Sequence, residues 1–135
     1  MKKTLQVATL LAAMALSTPL LAKTFVYVSE ADDGTIARYA LNEQTGALQL
    51  LGRTPAGGKV MPLVLSADHQ HRYAAIRSKP LRLQSWKIDS ATGDLSKTGE
   101  GTAAASHPYI STDKQGRILL GAPYDGDVVQ VYRMA

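Results

Sequence analysis

Thr45-Gly46-Ala47-Leu48 returns 47 residues later as Thr92-Gly93-Asp94-Leu95, and each copy follows an alternating segment with an aromatic near its end, Tyr39 in one and Trp86 in the other. A third aromatic, Tyr132, lies 46 residues beyond Trp86. Between these come Pro62-Leu63-Val64-Leu65-Ser66-Ala67-Asp68 and Pro108-Tyr109-Ile110-Ser111-Thr112-Asp113. Four residues after each Asp stands an arginine, Arg72 or Arg117, followed by a further apolar run. A repeat of about 46 residues built from short strands is the length of one four-stranded propeller blade. Helical repeats of the same length need long segments of 3.6-residue periodicity, which this sequence lacks.

Period-two alternation bounded by Gly, Asp, Asn and Pro predicts ten strands and no helix. They fall near Phe25 to Ser29, Thr35 to Leu41, Leu48 to Thr54, Met61 to Ser66 and Tyr73 to Arg77. The rest are Leu81 to Ile88, Leu95 to Gly99, Pro108 to Thr112, Ile118 to Ala122 and Asp127 to Arg133. Asp32-Asp33-Gly34, Thr45-Gly46, Thr92-Gly93 and Asp125-Gly126-Asp127 supply tight hairpin turns, because Gly, Asp and Asn tolerate positive φ best. The fold class is therefore all-β: propeller blades of four antiparallel strands, with one complete blade, Met61 to Gly99, flanked by two partial blades of three strands.

The 135 residues carry 15 Lys plus Arg against 11 Asp plus Glu, no cysteine, and a net charge of +4. Residues 1–22 read as a cleaved secretory signal: Lys2 and Lys3, an apolar stretch from Val7 to Leu16, then a small-residue site ending at Ala22. Gln6 and Thr9 interrupt the apolar run and Pro19 ends it short of a membrane span of about 20 residues, so no stable membrane anchor is expected. The expected location is the bacterial periplasm or the exterior. Without Lys2 and Lys3, 13 basic residues face 11 acidic ones over residues 23–135, the partial propeller domain. A surplus that small provides no basic stripe for nucleic acid. The absence of cysteine excludes disulfides, zinc ribbons and thiol nucleophiles.

Propellers close with four to eight blades, and at about 46 residues each even four need about 184. The 113 residues after Ala22 are fewer than that. The expectation is that the chain either assembles with copies of itself through its open blade edges or forms the front of a longer propeller.

The run from Pro108 to Gly121, continuing through Gly126-Asp127-Val128-Val129-Gln130-Val131, resembles the lactonase family of seven-bladed propellers, whose bacterial members include 6-phosphogluconolactonases. Thr24 to Ser29, the Thr45 to Leu48 turn, Pro62 to Arg72 and Ala75-Ile76-Arg77 fall in the order and spacing of that family's first third. The resemblance implies a sugar-lactone substrate opened by water, with no cofactor. That chemistry needs a base, donors for the tetrahedral oxyanion and cations for a phosphate. Such groups are expected to converge from several blades at one mouth of the central channel, and no complete catalytic set is assigned within this chain.

By the resemblance, Arg77 matches a family arginine near the mouth and is the first candidate for holding an anion. The family's histidine before the inner strand corresponds to Tyr109, with His107 two residues earlier, about 7 Å away on the same face of a pleated strand. The family's tyrosine on the following loop corresponds to Pro123, with Tyr124 beside it. The substrate-binding candidates are therefore Arg77, His107, Tyr109 and Tyr124. The alternative is a noncatalytic segment that binds a ligand or a protein.

Other patterns read as structure. His69-Gln70-His71 beside Asp68 has metal-ligand chemistry but occupies a hairpin turn, so no metal is expected. Gly52 to Lys59 has the wrong spacing for a phosphate loop and Val60 where a Ser or Thr would hold magnesium. No serine lies in a nucleophile-elbow setting. Phe25, Tyr27, Tyr39, Tyr73, Trp86 and Tyr132 sit mostly on strands at repeat-equivalent places and are read as packing.

Overall fold

A computed structural model describes residues 23–134; the leader assigned to residues 1–22 lies outside the described residues. The described residues form ten strands and no helix. They are β1 (Thr24–Glu30), β2 (Thr35–Leu41), β3 (Leu48–Pro55), β4 (Val60–Leu65) and β5 (His71–Ile76), then β6 (Arg82–Ile88), β7 (Leu95–Thr102), β8 (Tyr109–Thr112), β9 (Ile118–Ala122) and β10 (Gln130–Arg133). They pair as three antiparallel meanders: β1-β2-β3, β4-β5-β6-β7 and β8-β9-β10. These are one four-stranded blade between two three-stranded ones, the arrangement that the repeat predicts.

The first two blades share details at the same 47-residue offset. Each has a bulge in the strand before its last, between Arg38 and Tyr39 in β2 and between Ser85 and Trp86 in β6. Gly52 lies opposite Arg38, and Gly99 opposite Ser85. Each following turn is held by the side chain that opens it. Asn42 Oδ1 accepts from the backbone N–H groups of Gln44 and Thr45, both at 3.0 Å. Asp89 Oδ1 accepts from those of Ala91 at 3.0 Å and Thr92 at 2.8 Å. The next residues, Gly46 and Gly93, take φ of 74° and 71°, the left-handed region in which glycine has the least steric penalty.

This equivalence locates the unfilled strand places. β3 matches β7, the last strand of the full blade, so the first blade has its three later strands and an open place beside β1 among the described residues. β8 packs on β4, the first strand of the full blade. The third blade therefore has its three earlier strands, and its open place lies beside β10.

The blades pack face to face. β5 alternates its side chains between the two seams: Ala74 and Ile76 join Ile36, Ala56, Val60 and Trp86 against the first blade, whereas Tyr73 and Ala75 join Leu83, Ala103, Ile110 and Leu119 against the third. Successive residues of a strand point to opposite faces, so a blade buried on both sides needs apolar residues at odd and even positions alike.

The strand bounds differ most from the sequence reading at β7, which runs on past Gly99 to Thr102 opposite Arg82, and at β10. β10 begins at Gln130, which pairs with Gly121, and Asp127, Val128 and Val129 stay outside the strand. Pairing further back would oppose Pro123, which has no backbone N–H to give a ladder. β8 starts at Tyr109, after Pro108, for the same reason.

Glycine is sterically required in the connection between β3 and β4. A Cβ on Gly58 would lie 2.4 Å from Ser78 Oγ and 2.7 Å from Ile76 Cγ2. The loop thereby seats on the second blade, with Lys59 N–H donating to Ser78 Oγ at 3.1 Å and Arg77 N–H donating to Lys59 C=O at 2.8 Å. Gly58→Ala is expected to destabilise the chain by about 1–3 kcal/mol through overpacking. Gly101→Ala, where a Cβ meets nothing within 4 Å, should stay within about 0.5 kcal/mol. Urea denaturation of the two variants beside the parent checks both values.

Candidate functional site

Strand direction alternates along each meander, so the connections β1–β2, β3–β4, β5–β6, β7–β8 and β9–β10 all emerge at one end of the blades. The contacts between them confirm this shared end: Gly34 lies against Gly58, Gly58 against Ser78, and Arg77 reaches Ser106. Arg77, His107, Tyr109 and Tyr124 all fall at this end. The topology thus gathers the four candidates from two blades onto one rim.

Arg77 follows β5 directly, and its half-buried side chain crosses to the third blade. Its Nε–H donates to Ser106 Oγ at 2.8 Å, and its Nη1–H donates to Met61 Sδ at 3.0 Å. No carboxylate among the described residues forms an ion pair with it. Of the other cations at this end, Lys59 is engaged with Asp32, and Arg82 with Glu100 and the carbonyl of Gly57, whereas Lys79 is exposed on the β5–β6 connection. Arg77 is a guanidinium fixed in place whose charge no neighbouring anion neutralises. That arrangement suits an anionic or strongly polar oxygen ligand.

His107 is placed differently. It is 1% exposed, its ring lies over Gly121 of β9, and a Cβ there would come 2.7 Å from Cγ and Nδ1. Its Nε2 is 2.7 Å from Tyr132 Oη, and that hydroxyl donates to Gln130 Oε1 at 2.6 Å and accepts from Ala104 N–H at 3.3 Å. Tyr132 has one proton and gives it to Gln130, so His107 Nε2 carries the hydrogen in the contact between them. Nδ1 is then a buried lone pair without a partner. In this position His107 braces the third blade and is closed to a ligand at the rim.

Tyr109 and Tyr124 are 67% and 82% exposed, so both hydroxyls are accessible from solvent. Sequence reasoning missed Ser106 and Met61. Neither sits in a motif: Met61, on β4, meets Arg77 within one blade, and Ser106 meets it because two blades pack together. Of the H-x-H pattern, His69 lies in the turn, where Asp68 accepts from Ser66 Oγ–H and from Gln70 N–H, but His71 is the first residue of β5 and pairs with Lys87.

The seven-bladed lactonase propeller profile matches residues 22–135. The chain belongs to that family. Among its relatives, a 6-phosphogluconolactonase of Serratia proteamaculans is 35% identical over 109 residues, covering 81% of this chain and 32% of the relative. One from Cronobacter sakazakii is 34% identical over 112 residues, covering 83% and 33% respectively. Among solved structures, a periplasmic gluconolactonase of Pseudomonas aeruginosa superposes with a TM-score of 0.71 at 26% identity, over 82% of this chain and 32% of that one. A functionally unknown protein from Desulfotomaculum acetoxidans superposes with a TM-score of 0.72 at 14% identity, which concerns the fold alone. The lactonase-family chain spans about a third of the length of the curated relatives it matches.

Burial holds the imidazole of His107 below its ordinary value of 6.5, because a second proton would occupy the unpartnered Nδ1. The unfolded chain therefore binds a proton near that value before the folded chain does. The stabilisation is fully present above 6.5 and declines as the pH falls from there towards the depressed folded value. Urea midpoints should drop between about pH 7.5 and about pH 5.5, and His107→Gln should remove that part of the slope.

Proposed function

We propose that this lactonase-family chain is exported and takes part in the hydrolysis of a sugar lactone, 6-phosphogluconolactone or its unphosphorylated counterpart, with Arg77 holding a negatively charged or polar oxygen of the substrate. The observation that carries this reading is the guanidinium of Arg77, fixed at the rim by Ser106 and without a carboxylate partner. The family membership and the names of the relatives support the substrate class. The apolar leader at residues 1–22 supports export, and a periplasmic gluconolactonase is among the similar structures.

In the reaction, water adds to the lactone carbonyl, the tetrahedral oxyanion collapses, and the ring C–O bond breaks to give the open aldonic acid. Arg77 can orient a substrate anion or stabilise the oxyanion through its Nη–H donors. His107, closed off beneath Tyr132, is not the base that activates water. No described residue is assigned as that base. The burial of His107 also favours a second reading, in which this segment binds a lactone or aldonic acid without turning it over.

The test compares purified chain with Arg77→Ala on glucono-δ-lactone and on its 6-phosphate. Arg77→Ala should lower the rate above buffer by about tenfold or more if the arginine contacts the reacting oxygen. A larger loss on the phosphorylated substrate would assign Arg77 to the phosphate. Binding of the acid with no rate above buffer would select the noncatalytic reading, and neither binding nor turnover would reject both. The open edges beside β1 and β10 support self-association, which sedimentation of the same preparation measures.

A further inference from the structure

We infer that Ser106 is the positioning residue for Arg77, so that the packing of the third blade on the second sets the direction in which the guanidinium faces the rim. This rests on the reading of Arg77 as the ligand-holding group. Arg77 is the first residue of the β5–β6 connection, and Ser106 belongs to the β7–β8 connection. The 2.8 Å bond from Nε–H to Ser106 Oγ therefore crosses the seam between two blades.

Ser106 is itself held from both sides. Ala103 lies in the core of the same seam and donates its N–H to Leu81 C=O at 3.0 Å. His107, the next residue, is locked over Gly121 and against Tyr132. The backbone that carries the Arg77 acceptor is thus anchored by buried neighbours.

The two partners of Arg77 differ in strength. A serine oxygen is a good acceptor, and through Nε it fixes the guanidinium plane. The Met61 sulfur at 3.0 Å from Nη1 is a weak acceptor on a flexible side chain that is 43% exposed. An incoming anionic oxygen can displace the thioether without disturbing the Nε anchor. Ser106 thus acts as the fixed partner of Arg77 and Met61 as its replaceable one.

The experiment is nitrogen-15 NMR of the arginine side chains, with the Arg77 signal identified by its loss in Arg77→Lys. It is joined to a titration with 6-phosphogluconate. In the parent chain the Arg77 Nε–H should exchange slowly with water. In Ser106→Ala that protection should vanish and affinity for 6-phosphogluconate should fall by about tenfold, the effect of one charge-assisted hydrogen bond. The melting temperature should stay within about 2 °C, as for a half-buried polar side chain outside the core. Ser106→Thr, which keeps the hydroxyl, should restore both readouts. Unchanged Nε–H protection and affinity in Ser106→Ala would overturn the inference. A parent chain that binds no 6-phosphogluconate would reject the ligand role of Arg77 instead, and the Nε–H signal would still decide whether Ser106 holds it.

Discussion

The packing of β5 between two seams constrains everything else in this chain. Its side chains alternate without exception between the first blade and the third, so Ala74 and Ile76 serve one interface while Tyr73 and Ala75 serve the other. Alanine at two of these four positions lets the neighbouring sheets come close, while Ile76 fills the first seam and Tyr73 the second. A one-residue slip of β5 would exchange the two sets and place Tyr73 against Trp86 and Ile36. The bulge shared by β2 and β6 keeps the outer strands in step with that register.

The two seams are closed by different means. In the first, Arg38 of β2 reaches the turn before β7, donating to Thr92 C=O at 2.6 Å and pairing with Asp94, while Tyr27 Oη donates to Gly93 C=O at 2.6 Å. Arg72 lies over the Tyr27 ring, 4.3 Å from its centroid, and adds a cation–π contact. In the second seam the position equivalent to Arg38 is Ser85, which bonds within its own blade to Thr98. A groove of about 620 Å³ runs there between the second and third blades. The polar ties of this seam are instead Arg77 to Ser106 at the rim and, at the other end, Thr112 Oγ1–H to Leu65 C=O at 3.5 Å.

Much of the fold is legible in the chain because the repeat writes it twice. Thr45-Gly46 and Thr92-Gly93 mark equivalent turns, the aromatics mark equivalent strands, and the spacing gives the blade. The strand bounds near Pro123 were less legible, since pairing there depends on a missing N–H in the opposing strand. The site was legible only in part. Arg77, Tyr109 and Tyr124 lie at one end of the blades, whereas His107 turns inward because Gly121 leaves room for its ring and Tyr132 offers its hydroxyl. Ser106 and Met61 carry no sequence signal: Ser106 gains its meaning where two blades touch, and Met61 where β4 lies beside the end of β5.

Every hydrogen-bonded strand pair in the three sheets joins neighbours in chain order, with no strand inserted between two that were already paired. Each pairing therefore closes only a short loop, and its entropic penalty is small. Long-range order is deferred to the face-to-face seams, which form between sheets that already exist. A chain built this way can gain structure from β1 onward as it is delivered, each blade serving as the template on which the next one condenses.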